Sequence, residues 1–186
     1  MTALLLSPHN DDEVLFASYL CLRYHPHVIV CLRSGVQERY GVYASEREEE
    51  TEEAMRHLGC TWEQWPYQDQ SFDHFRGIGA LRGGFEALAG QYDHCFAPAV
   101  ELEGHEQHNL IGQLAREVFG DRITHYLTYT RDGGRSRDGV PNEPDEPEWI
   151  AAKMQALACY RSQLRVHNCR PWFYEQLDLR EWIEHG

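Results

Sequence analysis

Two short segments, about a hundred residues apart, carry the residue types from which hydrolytic metal sites are built. Ser7-Pro8-His9-Asn10-Asp11-Asp12-Glu13 places a histidine three positions before an aspartate, and Gly104-His105-Glu106-Gln107-His108 places one histidine three positions before another. Together they offer two imidazoles and a carboxylate for a cation, with a spare carboxylate and a spare imidazole beside it. Three protein ligands leave a coordination position open for water, whose pKa a bound zinc ion lowers to about 7. A side chain that takes up and returns a proton completes the requirements for hydrolysis. Either segment alone also fits an ordinary loop histidine or a helix cap, so the reading depends on whether the chain brings the two together.

The elements around them are legible from pattern. Residues 3–6 form a short apolar run that stops at Ser7-Pro8, as a buried parallel strand does. A helical stretch follows over 14–22, with Asn10 or Asp11 as its cap, and a second strand over 27–32. The next helix is the best signalled. Ser45 and Glu48 have capping-box spacing, and Gly59 supplies the stop. Its inward stripe is Arg47, Thr51, Ala54, Met55 and Leu58, while the acidic run 46–53 reads as a solvated face.

Strands are expected over 61–65, 92–97 and 123–130. Residues 72–90 read as a helix broken by Gly77, Gly79, Gly83 and Gly84, and an amphipathic helix runs over 110–119. Residues 131–148 read as a loop, 148–164 as a helix, and the tail from Pro171 as a further strand or helix.

Strand and helix alternate without an internal repeat, which defines an α/β class: a Rossmann-like, doubly wound, mainly parallel sheet in a single domain spanning 1–186. In such folds the functional crevice lies at the carboxyl ends of the strands, near the point where strand order reverses. With a 3-2-1-4-5 order, the loops carrying His9 and His105 are neighbours.

Composition narrows the partners. A formal charge of -13, from 30 acidic and 17 basic residues, disfavours binding of a nucleic-acid backbone. The six cysteines contain no CxxC pair and read as reduced, small core residues. No stretch approaches the ~20 apolar residues that cross a bilayer. The opening residues lack the basic and apolar regions of a signal peptide. These features give the expectation of a soluble, cytoplasmic protein with a small-molecule partner.

The chain resembles the PIG-L/LmbE-like family of zinc-dependent N-acetylglucosaminyl deacetylases. The resemblance is carried by SPHNDDEVL against the family's A-H-P-D-D-E pattern and EGHEQHN against its G-H-x-D-H pattern. REEETEEAMRHLG and KMQALACYRSQ support it in the correct order. It implies His9, Asp12 and His108 as zinc ligands, Asp11 as general base, and His105 as the group that steadies the oxyanion or acts as an acid. It further implies that Arg47 contacts substrate at the site rim and that Asp69 contacts sugar hydroxyls. Lys153, Ser162 and Gln163 are then supporting residues. Asn10, Gln107 and Tyr160 depart from the family's proline, aspartate and histidine.

The activity this implies is metal-dependent removal of an N-acetyl group from an N-acetylated amino sugar or sugar-containing small molecule. The cofactor is Zn2+, for which another divalent metal can substitute on the same ligands. The same mechanism on a non-sugar N-acyl amine or nucleoside derivative is the alternative, and a non-catalytic binding module is the rival of another class. A plain nucleotide-binding domain is disfavoured because the first strand leads to His9-Asn10-Asp11-Asp12 and not to a glycine-rich turn. The 131–148 loop is expected to cover substrate, with Arg131, Arg135 and Arg137 available to an anionic group.

Overall fold

A computed structural model describes residues 1–33, 38, 40–69, 77–129, 139–166 and 179–184. The elements run β1 (Ala3–Ser7), α1 (Asp12–Tyr24), β2 (His27–Arg33), α2 (Ala44–Leu58), β3 (Thr61–Gln68), α3 (Ile78–Ala89), β4 (His94–Pro98), α4 (Glu106–Phe119), β5 (Ile123–Tyr126), β6 (Gly139–Asn142), α5 (Pro147–Cys159) and β7 (Glu181–Glu184). They build a seven-stranded sheet in the order β3-β2-β1-β4-β5-β7-β6. The first five strands are parallel, and β7 adds antiparallel to β5 and to β6. The expected 3-2-1-4-5 order and doubly wound class are therefore present. Strand order reverses between β1 and β4, which pair through Leu4 with Cys95 and Leu5 with Phe96.

Side chains alternate across the sheet. Leu5, Val28, Phe96 and Tyr126 pack on one face with α1, α2 and α5. Leu4, Leu6, Ile29, Cys95 and Ala97 pack on the other with α3 and α4. Helices cover both faces, which is why the central strands read as continuous apolar runs. The five described cysteines are free thiols, four of them buried, while Cys169 lies outside the described residues. No described helix is long and apolar enough to cross a membrane.

Several local expectations are corrected. Helix α2 begins at Ala44 with Tyr43 at the cap position and no side-chain cap bond, so the Ser45–Glu48 capping box does not form. Glu48 instead accepts from Arg33. Glu50 is not on a solvated face: it is 3% exposed and accepts from the backbone and hydroxyl of Ser162. Its helical step places it beside Arg47, Thr51 and Ala54 on the buried side.

Helix α3 is unbroken over its described length. A Cβ at Gly84 would lie 2.6 Å from the Trp65 ring, so this glycine marks close packing against β3, not a break. Part of the expected 131–148 loop is strand β6, stabilised by pairing with β7. The helix expected over 148–164 stops at Cys159, and a 3₁₀ turn follows at Arg161–Arg165. Arg131, Arg135 and Arg137 lie outside the described residues.

One buried ion pair stitches the fold together. Helix α1 kinks at Ala17 (φ -140°, ψ 18°). Opening the ladder there exposes the Leu15 carbonyl and the Tyr19 amide, partners in a regular helix. Lys153 Nζ from α5 donates to the Leu15 carbonyl at 3.1 Å, and Glu181 from β7 accepts from the Tyr19 amide at 3.1 Å. Lys153 and Glu181 then meet at 2.7 Å, with Asn142 of β6 donating to the second carboxylate oxygen. Two distant elements thus complete the hydrogen bonding of a broken helix, and a third holds the carboxylate that does so. Lys153→Met leaves Glu181 buried without its cation and should lower the unfolding free energy by about 3–5 kcal/mol, read by urea denaturation. A shift below about 1 kcal/mol would remove the pair from the account of stability.

Candidate metal centre

Two helix N-termini meet where β1 and β4 end. The chain leaves β1 through Pro8-His9-Asn10-Asp11 and enters α1 at Asp12; it leaves β4 at Pro98 and enters α4 with His105 as the cap. Helix α4 lies close on its strand because residue 112 is glycine: a Cβ there would sit 2.2 Å from the Pro98 carbonyl. That approach carries His108, one turn earlier, into the crevice. Both helices point the positive ends of their dipoles at the site, which helps to hold the carboxylates of Asp11 and Asp12 there in ionised form.

The convergence centres on Asp12. Its Oδ2 lies 3.0 Å from His9 Nδ1 and 3.1 Å from His108 Nε2. One ligand atom from each of the three residues lies within 4.8 Å of the others. The His108 contact has the distance of an ion pair but not the alignment of a hydrogen bond. The fully buried Nε2 has no hydrogen-bond partner among the described residues. Its other nitrogen, Nδ1, lies 3.1 Å from the Thr128 hydroxyl. A proton held at Nδ1 leaves a lone pair at Nε2, the arrangement of a metal-ligating imidazole. The donor set, two imidazoles and one carboxylate with an orphaned buried nitrogen, fits a divalent metal with an open position.

The titration behaviour agrees with a place for positive charge. Burial alone would raise Asp12, but the facing His108 and His9 hold it far below the usual carboxylate range. Burial opposes charge on His9, yet Asp12, Asp69 and the bond to Gln107 together push it up to about 9.

Asp11 stands next to this group in an unusual backbone conformation, φ 119° and ψ -28°. A non-glycine residue there carries strain of about 1–3 kcal/mol, and its neighbours hold it in place. Its amide donates to the Glu13 carboxylate at 3.2 Å. Its own carboxylate receives Arg47 at 2.7 Å, and the same guanidinium donates to the Asn10 carbonyl. Burial pushes Asp11 up to about 7; Arg47 opposes the shift, and Asp12 and Glu13 add to it. Asp11 occupies the cap position of α1, as expected for one of two residues, but its side chain makes no cap bond. Arg47, expected to contact substrate at the rim, is only 2% exposed.

Glu13 is the buried pivot below the site. It accepts from Ser7 at 2.8 Å and from the Tyr160 hydroxyl. Tyr160 also contacts Thr51, which in turn accepts from Asn10 at 2.9 Å. Two of the three departures from the family pattern, Asn10 and Tyr160, therefore lie in one buried network. The third, Gln107, bridges His9 Nε2 at 2.6 Å and the Asp69 carboxylate. His105 accepts the Gln107 amide at Nδ1, 3.3 Å away, and packs edge-on against His9 with ring centroids 5.4 Å apart.

The structure thus brings His9, Asp11, Asp12, Arg47, Asp69, His105 and His108 into one crevice. Lys153 lies instead on the α1 kink, and Ser162 on Glu50. Thr128 and Tyr129 were missed; the Tyr129 ring lies 5.3 Å from His108. Their place just past the carboxyl end of β5, beside the switch point, is the signal that points to them.

The matching family model covers residues 4–119 and describes a GlcNAc-PI de-N-acetylase. The chain belongs to this PIG-L family. A curated relative, an uncharacterized protein of Acanthamoeba polyphaga mimivirus, is 24% identical over 127 residues, which span 62% of this chain and 56% of that one. Among solved structures, a deacetylase from the teicoplanin biosynthesis pathway superposes with a TM-score of 0.72 at 16% identity, covering 93% of this chain and 89% of its own. The 4-carboxy-2-hydroxymuconate hydratase of Pseudomonas putida shares the fold at a TM-score of 0.64 and 15% identity, covering 94% and 84%.

Tyr160→Phe deletes one donor to buried Glu13. It should lower the unfolding free energy by about 1–3 kcal/mol, measured by chemical denaturation. An unchanged midpoint would mean that the hydroxyl does not hold Glu13.

Proposed function

We propose that the protein is a zinc-dependent N-deacetylase acting on an N-acetylated amino sugar or another sugar-containing small molecule, releasing acetate and an amine. The observation that carries this reading is the convergence of His9, Asp12 and His108 within 4.8 Å, with Asp11 beside them on Arg47. Membership of a family described as de-N-acetylases supports it. His9, Asp12 and His108 hold the metal. When bound, zinc supplies Lewis acidity and brings the pKa of water in its open position to about 7.

The chain's own residues do the rest. Asp11 takes a proton from the attacking water and returns it to the departing nitrogen. That return is required, because an amide nitrogen leaves poorly as an anion. Burial strengthens the hold of Asp11 on a proton, which suits it to both duties. Arg47 keeps Asp11 aimed through its 2.7 Å contact. His105 accepts the Gln107 amide at Nδ1, so its proton sits on Nε2, where it donates to the oxygen that gains charge as the amide becomes tetrahedral. Asp69 offers its carboxylate to substrate hydroxyls beside His9. One domain and a small-molecule partner complete the reading.

The test is a panel of N-acetyl sugars, sugar phosphates, thiol–sugar conjugates and acylated amines, followed by amine and acetate release with and without a chelator. Turnover should be confined to sugar-bearing amides and should vanish with chelation. Addition of water to a double bond, as in the hydratase that shares the fold, would release no acetate. Asp11→Asn should keep stoichiometric metal by elemental analysis and lower turnover by at least about 100-fold. Normal deacetylation by that variant would overturn the assignment of the base.

A further inference from the structure

We propose that Gln107 is a positioning residue that selects the nitrogen of His9 facing the metal, by holding the Nε2–H and presenting Nδ1. The inference rests on reading His9, Asp12 and His108 as a metal site, and adds the ligand atom and the group that sets it.

The argument begins at Asp69. A carboxylate only accepts hydrogen bonds, and Gln107 Nε2 donates to Asp69 Oδ1. The amide NH2 group therefore faces Asp69, which turns the amide oxygen the other way. That oxygen lies 2.6 Å from His9 Nε2. An amide oxygen also only accepts, so the hydrogen in this contact belongs to Nε2. The proton that a metal displaces is therefore the one on Nδ1, and its loss bares the Nδ1 lone pair. Nδ1 is the nitrogen 3.0 Å from Asp12 Oδ2, the oxygen that also lies 3.1 Å from His108 Nε2. The ordering runs outward to inward: carboxylate, amide, imidazole, metal position.

Ligating imidazoles commonly pass their second N–H directly to a carboxylate or carbonyl. Here the amide of Gln107 stands between, so Asp69 orients His9 from one residue further away and the intervening group adds no charge. Thr128 does the corresponding work for His108, from the opposite nitrogen. The two ligands are thus presented through different ring atoms, Nδ1 from His9 and Nε2 from His108. Gln107 reaches a third imidazole through its backbone. Its amide donates to His105 Nδ1 at 3.3 Å, which puts that proton on Nε2. One residue, at the position where the family pattern has aspartate, thereby sets the tautomers of two histidines.

The experiment uses the full chain with 15N-labelled histidine and one equivalent of zinc. Long-range 1H–15N correlation should show His9 metallated at Nδ1 with a proton on Nε2, and His108 metallated at Nε2. Gln107→Met keeps the side-chain length but has no amide, and should weaken zinc affinity by about 10–100-fold in competition with a chromophoric chelator. Pairing Gln107→Glu with Asp69→Asn reverses the bond between the two but keeps an acceptor on His9. That double variant should recover affinity to within about threefold of the native protein, which a loss of packing alone would not predict. Metallation of His9 at Nε2, or unchanged affinity in Gln107→Met, would overturn this inference and leave the metal site standing. Zinc that perturbs neither His9 nor His108 would overturn the metal reading and this inference together.

Discussion

A single carboxylate oxygen, Asp12 Oδ2, faces two imidazoles, His9 from the turn before α1 and His108 from α4. The rest of the molecule can be understood as what holds that oxygen and those rings in place. Asp12 opens α1 and His108 lies in the first turn of α4. These helices leave strands that pair side by side where strand order reverses. A parallel sheet with helices on both faces puts the two helix starts together, and the Asp12–His108 and His9–Gln107 contacts then join them. The approach of α4 to β4, possible because residue 112 is glycine, sets how deep His108 sits.

Concentrating carboxylates at such a point is costly. Asp11, Asp12 and Glu13 are consecutive and almost wholly buried, and burial raises Asp11 and Glu13 above their ordinary range. The fold answers each in a different way. Asp12 is matched by histidines, Asp11 by Arg47, and Glu13 by hydroxyl donors from Ser7 and Tyr160 and the Asp11 amide. The differences in environment separate their roles. One carboxylate stays ionised between two imidazoles, one is raised by burial beside an arginine, and one is fixed as a structural acceptor. The strained backbone of Asp11 is the point where these demands meet.

The sheet order and the meeting of the His9 and His105–His108 segments were legible in the sequence, because both follow from strong local signals, while the choice of His9, Asp12 and His108 came from the family resemblance. Apolar runs mark buried parallel strands, and the two histidine-bearing segments sit where strands hand over to helices. The inward position of Arg47 was visible from helical spacing, but its partner was not, since the contact spans 36 residues and depends on the turn at Asp11. The acidic face of α2 misled at Glu50, where the burial comes from Ser162, a residue 112 positions away. The capping box failed for a similar reason: Glu48 found Arg33 across the fold. Gly84 looked like a helix break because sequence does not reveal that Trp65 needs the space. Strand β6 was invisible because its pattern is weak and its pairing with β7 comes from the far end of the chain.

The most direct measurement is a crystal structure of the zinc-loaded protein with anomalous scattering at the metal edge. The account predicts one ion bound by His9, Asp12 and His108, with a remaining coordination position turned toward Asp11. An ion bound elsewhere, or a coordination sphere closed entirely by protein side chains, would contradict it.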